Sequence, residues 1–296
     1  MEKVFLTKIN YKNAQEIFKK AIDAFYTEKE KFRHICIKIN LCDYRMADSG
    51  ATTDPFLLDA FLNVLKRKFN PESITVIEND ATSVEVDSLF NLLGFRALVK
   101  HDNVELLNAA KHEWIKKNVP GGALFRELDV LAIWDASDLR INFAKLKTNS
   151  LTKTTGCLKN MFGLLRQKRK SLLHSRISEV IADINTVMKT DFCVVDGLIG
   201  QEGNGPAFGI PKRCELLVAG KDPVAVDSCC ARLMGFVPYC VKHIRICSKR
   251  NIGSMHYDLI TDIPQFSYKD YTFKFSRIEY FTRTLIRKFT TLGAAG

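Results

Sequence analysis

Between His34 and Gly94 a strand, a helix, a second strand and a second helix follow one another, and that alternation leaves the chain few architectures. HICIKINL (34–41) alternates and is β-branched, as a strand of a sheet should be. A polar loop then reaches GATTDP (50–55), where Thr53 or Asp54 can cap a helix whose first turn tolerates Pro55. FLLDAFLNVLKRKF continues that helix with an apolar stripe. SITVIE (73–78) reads as a short buried strand, and a helix near Ser83–Leu93 stops at Gly94. Strands separated by crossover helices form a parallel sheet.

The remaining chain fits around that unit. Residues Asn13–Lys31 show helical periodicity, and after Trp114 the stretches LFRELDVLAIWD and DLRINFAKLK read as neighbouring strands. Helices are expected over 151–167 and Ser175–Lys189. FCVVDG then returns to strand, a glycine-rich loop leads to the strand CELLVAG, and a helix runs from Asp222 to Met234. No internal repeat or low-complexity linker divides the chain. The expected class is α/β, a mixed and largely parallel sheet with helices on both faces, in a single domain over residues 1–296.

Hydrophobic residues make up 46% of 296, enough for a sizeable core, which excludes a disordered chain. No uncharged apolar run approaches the roughly 18 residues of a membrane span, and MEKVFLTKINYKN lacks the apolar stretch of a signal peptide, so a soluble, cytoplasmic protein is expected. The nine cysteines are an odd number, mostly in apolar surroundings, with no CxxC among them. They read as reduced thiols, and no intrinsic iron–sulfur cluster is expected. Without HxH or HExxH, no metal ligand is assigned.

Charge is distributed unevenly. The forty residues from Leu139 to Ser178 contain ten Lys and Arg and no Asp or Glu, so they hold +10 of the +11 formal net charge. These basic residues are threaded through Thr, Gly and Asn, a mixture suited to holding a negative group. Lys145 and Lys147 stand two apart at a strand end, so in a regular strand both point to one face. Such a pair needs an anion or carboxylates opposite, and mutual repulsion lowers a lysine pKa toward the range of base chemistry. Asn149, Ser150, Thr152 and Thr154 then offer caps for a helix start, where an anion is favoured. Within LTKTTGCLKNMFGLL, helical spacing places Gly156, Lys159, Asn160 and Gly163 on one side, and two glycines in eight residues imply a close approach to that face.

Lys38 and Asn40 repeat the Lys-x-polar arrangement at the first strand end, with Thr52, Thr53 and Asp54 after them. Ligands of open α/β sheets lie beyond the carboxyl ends of strands, which brings Lys38, Lys145 and Lys147 toward one cavity with Lys159. The loop DGLIGQEGNGPAFG supplies Gly203 and Gly205 as a backbone cradle or lid. It is not a phosphate fingerprint, because Phe208 stands at the third glycine position of GxGxxG. Asp196 and Asp227 are candidate carboxylates, and His174 or a lysine of depressed pKa would transfer a proton. The QKRK run (167–170) reads as a solvated face. The aromatic and basic residues of SYKDYTFKFSRIEYFTRTLIRKF fit a nucleic-acid surface or strand alternation equally.

In order and spacing, GATTDP, KLKTNSLTKTTGCLKNMFG, DGLIGQEGNGPAFG and VAGKDPVAVDSCCARLMG are similar to the domain of unknown function 362 family, over roughly residues 35–255. The family's lysine block usually reads KLKTH, and Asn149 stands here where that histidine would. The resemblance maps further positions onto His174 and Asp183. Many members are described as iron–sulfur proteins because a ferredoxin-like cluster domain accompanies the common one, but this chain has no such cysteine run. More distantly, it resembles the nickel-dependent lactate racemase architecture, in which lysines and histidines hold an anionic nucleotide cofactor.

The function expected is a cytoplasmic small-molecule enzyme that binds a carboxylate- or phosphate-bearing ligand. Lys147, Lys159 and His174 would serve in catalysis. Lys38, Asn40, Thr53, Lys145, Thr154, Asn160, Asp196, Gly203, Gly205 and Asp227 would bind the ligand, and no cofactor is specified. The alternatives are an oxidoreductase or electron-transfer protein working with an external ferredoxin, and a nucleic-acid-binding module. The expected partner is an anionic small molecule, with no specific nucleic acid and no membrane.

Overall fold

The computed structural model describes residues 1–275 apart from Thr82, Ser83 and Lys168, together with Thr282. The chain opens with β1 (Glu2–Lys8) and α1 (Ala14–Asp23), followed by β2 (His34–Lys38), α2 (Pro55–Phe69), β3 (Ser73–Glu78), α3 (Val86–Leu92) and β4 (Val104–Asn108). A two-stranded excursion, β5 (Trp114–Asn118) with β6 (Glu127–Leu131), ends in the short α4 (Ala132–Ala136). Next come β7 (Leu139–Asn149), the two-residue β8 (Lys153–Thr154), α5 (Gly156–Asn160) and α6 (Ile177–Val187). The long strands β9 (Phe192–Asn204) and β10 (Phe208–Gly220) lead to α7 (Pro223–Leu233), α8 (Lys242–Lys249) and β11 (Tyr257–Thr261).

The main sheet runs β11-β1-β10-β9-β7-β2-β3-β4, with β8 folded back on the end of β7. From β9 to β4 every pairing is parallel, whereas β10 is antiparallel to both β9 and β1. The sheet is therefore mixed and largely parallel, and its two faces follow from strand alternation. Ile35, Ile37, Phe143 and Val194 pack with α1 and α2, while Cys36, Ala144, Cys193 and Val195 face α5 to α8. Helix starts are set locally. Asp54 Oδ1 accepts from Phe56 N at 2.8 Å and Asp222 Oδ1 from Val224 N at 2.7 Å, each with proline in the first turn, where its missing N–H costs nothing.

Five sequence expectations need correction. The helix expected through Lys31 ends at Asp23, because Tyr26 turns into an aromatic cluster with Phe32, Phe69 and Phe192 at ring distances of 5.5–5.7 Å. LFRELDVLAIWD and DLRINFAKLK are not neighbouring strands. β6 pairs with β5, since both edges of β7 are already taken by β2 and β9. The helix expected over 151–167 is confined to α5 and a 3₁₀ turn at Met161–Leu164, after residues committed to the β7–β8 turn. The glycine-rich loop is instead a hairpin, because β9 and β10 stay paired out to Asn204 and Phe208. Within QKRK, Lys170 is buried, and Lys168 lies outside the described residues, as does the C-terminal aromatic and basic stretch beyond Phe275. The start of the helix expected at Ser83 is outside them too.

Candidate functional site

At the carboxyl end of β7 the two lysines meet different partners. Lys145 pairs in register with Asp196 of β9, and its Nζ lies 2.8 Å from Asp196 Oδ2, with both residues buried. The other Asp196 oxygen accepts from Leu198 N at 3.0 Å. Asp54 lies close enough to feel both charges. Burial first and then the Asp196 carboxylate push its pKa up, while Tyr11 Oη donates to it at 2.7 Å. This group sits on the α2 side of the sheet.

Between Lys145 and Lys147 the β7–β9 register shifts, so the residue opposite Lys147 is Gln201. Glycines permit the irregularity. A Cβ on Gly200 would lie 2.6 Å from Leu146 O, and one on Gly50 would lie 2.1 Å from Gly200 O. Lys147 is 0% exposed, and its Nζ donates to Asn40 Oδ1 at 2.7 Å, Ala51 O at 2.6 Å and Cys42 Sγ at 3.0 Å. Two of these acceptors are neutral oxygens, and among the described residues no carboxylate lies within ion-pair distance of it.

From Lys147 a directed chain of amides crosses the site. Asn40 Nδ2 donates to Asn160 Oδ1 at 2.8 Å, Asn160 Nδ2 to Asn142 Oδ1 at 2.8 Å, and Asn142 Nδ2 to Cys157 O at 2.9 Å. Turning any one amide over would set two donors, and two oxygens, face to face, so the network determines each orientation. Every bond runs the same way, away from the Lys147 ammonium, and aligned bonds strengthen one another. Thr53 holds the first amide residue in place, since its Oγ1 accepts from Asn40 N at 2.8 Å and its own N donates to Asn40 O at 2.9 Å.

Lys38 enters from β2. Its Nζ lies 2.7 Å from Glu78 Oε1, 2.5 Å from Ile39 O and 3.5 Å from Asn160 Oδ1. Burial lowers its pKa against the raising effect of Glu78. Lys170 approaches Glu78 from the other side, donating to Gly163 O at 2.5 Å and Asp80 O at 3.2 Å, and burial brings it down to about 8. Lys159 is half-buried, with its Nζ 5.9 Å from the centre of the Phe162 ring and no hydrogen bond or ion pair among the described residues. Burial lowers it to about 8. Cys42 opposes that shift, while Lys147 and Lys38 add to it. His243 of α8 is fully buried with neither ring nitrogen hydrogen-bonded, and burial, aided by Lys159, pushes its pKa down to about 3.

The structure thus gathers Lys38, Asn40, Thr53, Lys147, Lys159 and Asn160, and sets Lys145 with Asp196 apart as a closed pair. Asp227 is engaged elsewhere. Its oxygens accept from Cys157 N at 2.6 Å and Leu158 N at 3.0 Å, satisfying the start of α5, and burial raises it to about 7. The two glycines flanking Lys159 are explained by side chains of this chain. A Cβ on Gly156 would meet Asp227 Oδ1 at 2.3 Å, and one on Gly163 would meet Lys38 Nζ and Glu78 Oε1 at 3.2 Å. Gly203 O and Gly205 O accept from Thr148 Oγ1 and Ser150 N, both at 3.0 Å, so they fasten the hairpin to the β7–β8 turn. Thr154 is buried with its Oγ1 unpartnered, and His174 stacks obliquely 6.2 Å from Phe162.

The family pattern described as "Domain of unknown function (DUF362)" matches residues 35–232, from β2 to α7. The chain belongs to that family. A thylakoid-associated protein of Synechocystis is similar to this DUF362 chain, at 35% identity over 99 residues, 31% of this chain. The match spans only 30% of that protein's length. Among solved structures, the lactate racemase apoprotein of Thermoanaerobacterium thermosaccharolyticum is similar at 12% identity and a TM-score of 0.44, over 78% of this chain and 57% of that one.

The DUF362 span contains every lysine and amide of the cluster. Sequence reasoning missed Glu78, Cys42, Asn142, Lys170, Gln201 and His243. For Asn142 a signal existed, since a lone amide inside the apolar strand RINFA needs a buried partner. His243 lies outside the DUF362 match, in KHIRICSK, where nothing in the sequence marks it. Among the described residues no three His, Cys, Asp or Glu side chains converge as a metal site requires, and no helix is long and apolar enough to cross a membrane.

Proposed function

We propose that this DUF362 protein is an enzyme that binds a small carboxylate- or phosphate-bearing molecule between Lys147, Lys159 and Lys38, with Lys159 as its proton-transfer group. One observation carries this reading: Lys147 is wholly buried with no carboxylate partner among the described residues, while its strand neighbour Lys145 has one. A buried unpaired cation is costly unless an anion accompanies it. With Lys38 committed to Glu78 and the three N–H groups of Lys147 spent on Asn40, Ala51 and Cys42, Lys159 remains to bond that anion while Lys147 contributes its charge. Lys159, titrating near 8, holds its proton just below that pH and gives it up just above, as general acid–base chemistry requires. Nine free cysteines suit action in a reducing compartment such as the cytoplasm.

The test is calorimetric titration of the full-length protein with inorganic phosphate and with malonate, against chloride at equal ionic strength. Expected are saturable binding of at least one of the two and its loss in Lys147→Met and Lys159→Met. Responses equal to chloride, or binding that survives both substitutions, overturn the proposal.

A further inference from the structure

On three segments that border Lys147, five buried polar atoms have no hydrogen-bond partner among the described residues: Thr52 Oγ1, Asn149 Nδ2, Thr154 Oγ1, Thr155 Oγ1 and Gln201 Oε1. Their residues are at most 2% exposed, and they are five of the eleven such atoms among the described residues. They belong to three segments that meet at one residue. Lys147 Nζ donates to Ala51 O, beside Thr52. Lys147 O accepts from Thr155 N at 3.0 Å. Gln201 stands opposite Lys147 in the sheet register. Native folds satisfy nearly all buried polar groups, so orphans concentrated on one locus mark a place whose partner is not part of the chain.

The chemistry of the five atoms limits that partner. Three hydroxyls can donate or accept, Asn149 Nδ2 only donates, and Gln201 Oε1 only accepts. A carboxylate or a phosphomonoester dianion is acceptor-only and would by itself leave Gln201 Oε1 unsatisfied. A molecule with hydroxyl groups beside its anionic group satisfies both kinds. Resting on the anion-site reading above, we infer that the ligand is a polyhydroxylated anion of the sugar-acid or sugar-phosphate class. Its charge would lie on the lysines, and its hydroxyls on Thr52, Thr154, Thr155, Asn149 and Gln201.

Two measurements on the full-length protein test this. The first asks whether the hydroxyls are unpartnered in the fold. Thr52→Val and Thr155→Val should leave the melting temperature of the ligand-free protein equal or raised, because each deletes a buried hydroxyl that lacks a bond. The second is calorimetry with 6-phosphogluconate and with inorganic phosphate. The sugar acid phosphate should bind at least tenfold more tightly, and that advantage should shrink severalfold in both valine variants while phosphate affinity holds. A fall of several degrees in the ligand-free variants overturns the inference, since the hydroxyls would then be bonded within the fold. Equal affinity for the two probes also overturns it and leaves the anion site standing. No binding of either probe overturns both.

Discussion

Lys145 and Lys147 leave the same strand two residues apart, yet one is neutralised and the other is not. The difference originates in β9. A register shift over Gly197–Gly200 puts Asp196 opposite Lys145 and Gln201 opposite Lys147, so one sheet position receives a carboxylate and the next an amide. On the α2 side the result is a closed ion pair that completes the fold. Toward α5 it is an ammonium that meets no carboxylate among the described residues, continued by the Asn40–Asn160–Asn142 chain and by Lys159 over the Phe162 ring. What separates the two buried lysines is whether the chain supplies a carboxylate as counter-charge.

The hardest blow to this contrast should fall on the closed pair. Lys145→Met strands the buried Asp196 carboxylate and should cost about 3–5 kcal/mol in urea denaturation, whereas Lys145→Met with Asp196→Leu should recover most of that loss. A single-variant cost below about 1 kcal/mol would show that the pair is not what separates the two lysines. Next in size is the conversion of the open site into a copy of the closed one. Gln201→Glu places a carboxylate opposite Lys147, so phosphate affinity measured by calorimetry should fall at least tenfold, and unchanged affinity would count against the anion site. Lys159→Met should be milder for the fold. The thioether keeps the stem and the helix propensity, so stability should change by no more than about 1 kcal/mol while anion binding is lost. A large drop in melting temperature with affinity intact would make Lys159 a packing residue.

The smallest effect is a pH dependence of opposite sign for stability and binding. Lys159 and Lys170 titrate near 8 in the fold and at the ordinary lysine value of about 10.5 when unfolded. Between those values the unfolded chain holds more protons, so the contribution of these lysines to the stability of the ligand-free protein should rise with pH across that window. Anion affinity should fall over the same range as Lys159 loses its charge. Melting temperature and calorimetric affinity measured from pH 7 to 10 check both signs, and parallel trends would remove Lys159 from the binding site.

How far the sequence foretells this arrangement depends on the range of the forces involved. HICIK and SITVIE announce their strands through β-branched alternation, and Asp54 and Asp222 announce their helices through capping, because those effects act within a few residues. The lysines and the two glycines around Lys159 stand out from local spacing as well. The partners do not. Glu78 reaches Lys38 across forty residues of chain, and whether Asp196 or Gln201 faces a given lysine is decided by a bulge visible only once β7 and β9 are paired. The partner of β6 is hidden for the same reason, since DLRINFAKLK offers an equally good strand on pattern alone.

The place of β1 in the sheet bears on how the molecule is assembled in time. Phe5 pairs with Ala219 and Val4 with Leu259, so β1 joins partners made more than two hundred residues after it. During synthesis the β2–α2–β3 unit can close over short loops, while β1, carrying the apolar Val4, Phe5 and Leu6, has nothing to add to until β10 leaves the ribosome. Its capture therefore comes late in folding, and until then the segment is an apolar strand without its native partners.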